Sequence, residues 1–171
     1  TMSLIAREKN LGTMEVISTL PLKDLDFVAG KFLAALSLVS AGLLVSMVHF
    51  FTLTQVGTNI DYGAVFTGYL GLALAGAVYS AVGTFASSLT DNQVVAFIIG
   101  IFIVLIFFLM DKMLMFVPVA LTGIIQYLSV DYHLSNISRG VIDSRNLIYF
   151  ASVVGLFLFM TVRMLEIRRW K

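Results

Sequence analysis

Residues 94–110 read VVAFIIGIFIVLIFFLM, an unbroken run of apolar residues that decides the fold. A helix rises about 1.5 Å per residue, so a run of this length nearly crosses the ~30 Å hydrocarbon core of a bilayer. Apolar side chains occupy every side of the helix, which is typical of a helix that faces lipid or lies inside a bundle. The stretch therefore predicts a membrane-spanning helix.

The composition of the whole chain indicates the same class. Hydrophobic residues make up 59% of the 171 residues, charged residues make up 12%, and the mean hydropathy is +0.97. A soluble domain has roughly 45–50% apolar and about 25% charged residues. The net charge of +1 argues against a nucleic-acid partner, and the lack of cysteine excludes disulfides and thiolate metal sites. We therefore expect an integral membrane protein whose surroundings are membrane lipid.

Three further stretches are long and apolar enough to cross a membrane, which requires about 20 residues. Together with the first they predict transmembrane helices at about 25–53, 64–86, 94–110 and 146–165. The expected fold class is all-α, a polytopic membrane helical bundle with four transmembrane helices.

A fifth apolar stretch, residues 113–130, contains Pro118, Gly123 and Gln126. Four spans with a cytoplasmic start place eight Lys and Arg residues inside and three outside, whereas five spans would give six against five. Cytoplasmic segments normally carry the excess of Lys and Arg. We therefore expect residues 111–145 to form an outer region and both chain ends to be cytoplasmic. Within that region, 113–130 should be a re-entrant or interfacial helix on the outer face, broken near Pro118 and Gly123.

Small residues recur at intervals of four along the second span. Such residues let helix backbones approach closely in lipid, where water does not drive helices together. We interpret them as helix-packing positions within the bundle; the alternative is a subunit or substrate interface. The positions include Gly71, Ala75, Gly76, Ser80 and Gly83.

The usual catalytic and ligand-binding motifs are missing from the sequence. Gly30-Lys31 is the only Gly-Lys pair, and its neighbours do not match an ATP-binding loop. His49 and His133 have no metal-ligand spacing, and a loop position is expected for His133. No ionisable residue stands at the centre of a span, which argues against an ion-coupled transporter. We therefore predict no catalytic, cofactor or metal site and no enzymatic activity of this chain.

The polar segment before the first span, residues 1–24, has its own pattern. Gly12 ends one local element, Thr13 can cap a short helix over 14–20, and Pro21 stops that helix. This predicts a short helix on the cytoplasmic face, hinged at Pro21 to the first transmembrane helix. The helix would be either a simple interfacial anchor or a lever on which a cytoplasmic partner acts.

Several stretches of the chain carry a family resemblance. They are 5–17 (IAREKNLGTMEVI), Leu20-Pro21-Leu22, Gly30-Lys31, 87–93 (SSLTDNQ), 139–145 (RGVIDSR) and 165–170 (LEIRRW). Together they resemble ABC-2-type transporter permeases over essentially the whole chain, and the last two are most similar to the gliding-motility-associated branch.

The resemblance implies a permease subunit of an ATP-binding cassette transporter in the bacterial inner membrane, and it favours export. The implied partners are a cytoplasmic ATP-binding subunit, which would hydrolyse ATP, and a second permease subunit in a homo- or heterodimer. No cofactor of the chain itself is implied. The positions that match the family's ATPase-coupling motif are Glu8, Gly12, Thr13, Glu15 and Pro21.

The resemblance also bears on domain organisation. Such permeases typically have six spans, so residues 1–171 would be the C-terminal part of the transmembrane domain, with 1–24 as the cytoplasmic coupling segment. The family's first two spans are not matched, and we expect the chain to be a fragment. The alternative function is a non-transporting membrane anchor or scaffold for a cytoplasmic or envelope complex. A channel is a weaker option because no polar ring lies within the spans.

Overall fold

A computed structural model describes residues 4–12, 23–57 and 60–169, with the backbone alone at 168 and 169. All regular secondary structure in these residues is helical. The elements are α1 (Ala6–Asn10), α2 (Asp24–Val56), α3 (Tyr62–Leu89), α4 (Gln93–Lys112), a 3₁₀ helix (Met113–Phe116), α5 (Val119–Leu128), α6 (Val130–Ser138) and α7 (Ser144–Arg169).

Four helical stretches of the described chain are long and apolar enough to cross a membrane. They are Asp24–Val56, Tyr62–Leu89, Gln93–Phe116 and Ser144–Ile167. The predicted all-α bundle with four transmembrane helices is confirmed, and each helix extends somewhat beyond its most apolar stretch.

Successive spans run antiparallel. Ile5, Val28 of α2 and Leu165 of α7 form one buried cluster, which places the start of α2 and the end of α7 together. Lys112 at the end of α4 contacts Asp131 of α6 at the opposite end. One end of the bundle therefore carries α1 and the α3–α4 turn, and the other, the α5–α6 end, carries α5 and α6.

Helix α3 is the centre of the bundle. Buried residues make up 39% of its most apolar window, against 6% for α2. It packs against α2, α4, α6 and α7. Phe85 of α3 and Phe107 of α4 both contact Phe157 of α7, with ring centroids 5.6 and 6.0 Å apart. The two helices α2 and α4 therefore leave most of their apolar surface for lipid or a partner.

Two side-chain caps fix where spans begin. Asp61 Oδ1 accepts hydrogen bonds from the backbone N–H groups of Gly63 (2.9 Å) and Ala64 (3.2 Å) at the start of α3. Asn92 Oδ1 accepts from the N–H of Val94 (2.9 Å) at the start of α4. The first N–H groups of a helix lack partners within it, and Asp and Asn satisfy them well. The α3–α4 turn is therefore short and sharply bounded.

The region 113–130 differs from the sequence expectation in one respect. Pro118 does interrupt it, because proline disfavours helical geometry in the preceding residue, and Val117 is extended (φ −97°, ψ 138°). The expected break near Gly123 is wrong: Gly123 lies inside α5. A glycine costs a helix only about 1 kcal/mol relative to alanine, so helix-forming neighbours can offset it. The second break falls at Ser129, which is extended (φ −75°, ψ 129°).

The small residues of α3 lie close to neighbouring helices at two positions. A Cβ atom added at Gly71 would lie 2.8 Å from Leu134 Cδ1 of α6, and one added at Gly76 would lie 2.6 Å from Val39 Cγ1 of α2. At these distances a methyl group would fit only if the neighbouring side chain moved, which is easier for the flexible Leu134 than for Val39. The other three predicted packing residues, Ala75, Ser80 and Gly83, are buried in the same helix.

Gly76→Ala is expected to lower the free energy of unfolding by about 1–3 kcal/mol, the usual cost of overpacking. Val39 is β-branched, and its χ1 angle is nearly fixed in a helix, so it cannot easily turn away. Adding Val39→Ala should recover part of the loss. The matched control is Gly68→Ala in the same helix, where an added Cβ meets nothing within 4 Å. Thermal unfolding in detergent measures all variants, and equal unfolding temperatures for Gly76→Ala and Gly68→Ala would contradict a packing role.

Candidate functional site

A serine of α3 holds the start of α1. Ser87 Oγ accepts hydrogen bonds from the backbone N–H groups of Ile5 (2.9 Å) and Ala6 (2.8 Å). Ser87 and both donor residues are buried. Because the first N–H groups of a helix have no partner within it, this hydroxyl satisfies two groups that would otherwise be buried without one. The backbone of α1 is therefore fixed to the C-terminal end of α3.

Charged side chains connect α1 to two further parts of the bundle. Lys9 Nζ donates to the carbonyl oxygen of Ser88 (2.6 Å) and lies 3.9 Å from Asp91 Oδ1 in the α3–α4 turn. Glu8 forms an ion pair with Lys31 of α2. The Lys9 side chain is 8% exposed, and Glu8 and Lys31 are each 23% exposed. The Glu8–Lys31 pair is shielded from water on both sides and therefore interacts more strongly than a surface pair, whereas Asp91 is 63% exposed.

An apolar cluster completes the contact. Ile5 is fully buried against Val28 of α2 and Leu165 of α7. Residues 4–12 thus contact all four spans near their ends, because α1 also approaches the start of α4. We call this site the α1 junction. Its members are Ile5, Glu8, Lys9, Val28, Lys31, Ser87, Asp91 and Leu165. Because the members are packed together, α1 cannot move without changing its contacts with α2, α3 and α7.

Two of the five predicted coupling residues lie in the described chain. Glu8 is a member of the α1 junction, and Gly12 follows the end of α1 with φ +70°, a conformation that favours glycine. The three others, Thr13, Glu15 and Pro21, lie outside the described residues, as does the helix predicted over 14–20. Glu8 therefore lies in α1, and Gly12 lies in the turn just beyond its end.

Sequence reasoning did not single out Lys9, Ser87 and Asp91 as functional residues. The available signal was the family resemblance, because stretch 87–93 contains Ser87 and Asp91 and stretch 5–17 contains Lys9. Local spacing could not have paired them with α1, because Ile5 and Ser87 stand 82 positions apart. Their contact arises from tertiary packing alone.

His133 is not a loop residue as expected; it is buried in α6, with its ring nitrogens near oxygens of Asn146 and Tyr127. The missed signal is the amphipathic spacing of Val130, His133 and Ile137, which all face the core.

His49 is exposed on α2. Within residues 4–12, 23–57 and 60–169, no three His, Asp or Glu side chains are grouped as metal ligands would be.

Four apolar helices long enough to cross a membrane, packed around α3, define a multi-pass membrane protein. Residues 1–128 match the sequence profile described as ABC-2 family transporter protein. This chain belongs to that family, which confirms the resemblance to ABC-2-type permeases. No match was found among curated proteins or among solved structures. Membership makes the chain a membrane subunit of an ABC transporter, a subunit normally not catalytic itself and normally paired with a cytoplasmic ATP-binding subunit.

Proposed function

We propose that this chain is the permease subunit of an ATP-driven exporter in the bacterial inner membrane, and that its α1 junction receives motion from the ATP-binding subunit. The observation that carries the proposal is the docking of α1 against the ends of the spans, above all through Ser87, Lys31 and Leu165. A partner that moves this short helix acts on α2, α3 and α7 together.

The charge distribution supports a cytoplasmic position for the α1 junction. Lys and Arg are more numerous at the α1 end of the chain's spans than at the α5–α6 end, and the excess normally marks the cytoplasmic side. Of the described residues, those at the α1 end are Arg7, Lys9, Lys23, Lys31, Arg163, Arg168 and Arg169, against Lys112, Arg139 and Arg145 at the other. An ATP-binding subunit in the cytoplasm would therefore meet the α1 end.

The proposed mechanism has two arrangements of the bundle. ATP binding shifts their balance only if the partner interacts more favourably with one of them. The partner contacts the coupling segment at Glu8, Gly12, Thr13, Glu15 and Pro21. Displacement of that segment moves α1, and the junction carries the motion into the spans. A path for substrate then opens at the interface with a second permease subunit.

Glu15→Lys is expected to reduce the stimulation of ATP hydrolysis by about tenfold or more in the complex of this chain with its ATP-binding subunit, purified from membranes. A reversed charge in a docking segment costs several kcal/mol, and about 1.4 kcal/mol corresponds to a factor of ten. The matched control is Glu166→Lys, the same charge change at a 41% exposed residue of α7. Equal stimulation in the two variants would contradict the proposed coupling. A stoichiometric partner without ATPase activity would favour the scaffold instead.

A further inference from the structure

A cavity of about 450 Å³, lined mainly by residues with polar or charged side chains, lies at the α5–α6 end of the bundle. It is bounded by the end of α5, by α6 and by the connection from α6 to α7. Ligand-binding cavities are typically about 300–1,000 Å³. The cavity is at the opposite end from the α1 junction and shares no residue with it.

The floor of the cavity is a fixed polar surface. His133 and Asn146 are 1% and 5% exposed, and His133 Nδ1 lies 2.7 Å from Asn146 Oδ1. His133 Nε2 donates to the carbonyl oxygen of Tyr127 (2.9 Å), and the imidazole ring stacks on Tyr149 with centroids 3.9 Å apart. The Tyr149 hydroxyl in turn donates to the carbonyl oxygen of Leu128 (2.5 Å). A floor held in place by these contacts needs little reordering when a ligand binds.

The rim of the cavity is positively charged. Arg139 and Arg145 both line it and are exposed, and neither guanidinium forms an ion pair within the described chain. Gly140, with φ +88°, turns the chain between α6 and α7 next to Arg139. Asp143 is the single acid of the lining, and its Oδ1 accepts the backbone N–H of Arg145 (2.9 Å) at the start of α7. Two guanidiniums against one carboxylate leave an excess positive charge.

We infer that this cavity binds a phosphate group, carried either on a phospholipid headgroup or on a small soluble ester. Each guanidinium can donate two parallel hydrogen bonds, so two of them match a group with three or more acceptor oxygens. A carboxylate has only two oxygens and could therefore accept both hydrogen bonds from just one of the two guanidiniums. Tyr127 and Tyr132 flank the site and pack edge-on against His133, with centroids 5.1 and 5.3 Å away. Tyrosines with an apolar ring and a polar hydroxyl suit the membrane interface.

The phosphate could come from a phospholipid or from a soluble ester, and two probes separate these sources. Calorimetric titration of the full chain in a neutral detergent is made with dihexanoyl phosphatidylglycerol and with glycerol 1-phosphate; dihexanoylglycerol is the phosphate-free control. Binding of the lipid probe alone assigns a headgroup site. Binding of both probes assigns a site for phosphate esters in general, and binding of glycerol 1-phosphate alone assigns a site for soluble esters. Each of these results supports the inference.

The double variant Arg139→Gln/Arg145→Gln should raise Kd about tenfold or more. A tenfold rise corresponds to a loss of ~1.4 kcal/mol, and the variant removes the charge-assisted hydrogen bonds of both guanidiniums. Val141→Trp should block the cavity, because Val141 is an exposed residue of its lining. The control is Lys112→Gln at the same end, whose partners Asp111 and Asp131 lie outside the lining. Failure of both phosphate probes to bind, unchanged Kd in the double variant, or equal binding of dihexanoylglycerol would overturn the inference.

Discussion

Ser87→Ala is expected to increase hydrogen exchange at the backbone amides of Ile5 and Ala6 by roughly thirtyfold. The substitution removes the one oxygen that accepts from both N–H groups, at 2.9 and 2.8 Å. A buried donor without an acceptor costs about 1–3 kcal/mol, and a net loss near 2 kcal/mol corresponds to this change in rate. Because the proposed coupling requires a docked α1, stimulation of the ATP-binding subunit should fall with it.

The neighbouring serine provides a matched control for this experiment. Ser88 is also fully buried, but its Oγ donates to the carbonyl oxygen of Phe85 (2.7 Å) within α3. Its contact with α1 is made by the backbone carbonyl, which Ser88→Ala retains. Exchange at Ile5 and Ala6 should therefore stay near the unmodified rate in Ser88→Ala. If both variants increased exchange equally, general loosening of α3 rather than loss of the Ser87 contacts would be the cause.

Reversal of either charge in the Glu8–Lys31 pair is expected to weaken the docking of α1 by about 1–3 kcal/mol, and exchange of the two charges should restore most of it. Glu8→Lys and Lys31→Glu each place two like charges together at positions where both native side chains are only 23% exposed. Glu8→Lys/Lys31→Glu again pairs opposite charges. The free energy of docking is measured by amide exchange at Ile5 and Ala6, which gives a double-mutant cycle.

The surface pair Arg163–Glu166 is the control for the charge reversals. Its atoms lie 3.0 Å apart, yet the two side chains are 61% and 41% exposed. Exposed pairs contribute about 0–1 kcal/mol. Arg163→Glu should therefore leave exchange in α1 nearly unchanged. A doubly exchanged Glu8–Lys31 variant no better docked than the single variants would show that the pair does not position α1.

The spans were predictable from sequence because their signal is local. A run such as 94–110 needs no knowledge of its neighbours, since lipid accepts apolar side chains on every face. The region after it was only partly predictable. Pro118 breaks the chain through its own covalent geometry, whereas the effect of Gly123 depends on its neighbours, which continue the helix. Helix α6 was missed because it combines a short length with buried polar residues such as His133.

The candidate site was less accessible to sequence reasoning. Glu8 and Gly12 were found through the family resemblance. Gly12 has a backbone conformation that residues other than glycine rarely adopt. Ser87 was not found, because an ordinary helix serine and a serine that caps a distant helix have the same local sequence. The cavity beside Arg139 and Arg145 depends on the turn at Gly140 and on the packing of α6 against α7.

Hydrogen exchange at the Ile5 and Ala6 amides, in the complex with the ATP-binding subunit, tests the central claim most directly. The comparison is between the nucleotide-free complex and the complex trapped with ATP in a hydrolysis-deficient partner. We predict that ATP changes exchange at both amides several-fold, and that the amides around Val28 and Lys31 of α2 change with them. Unchanged exchange at Ile5 and Ala6, in a complex that still transports when ATP is hydrolysed, would contradict coupling through the α1 junction.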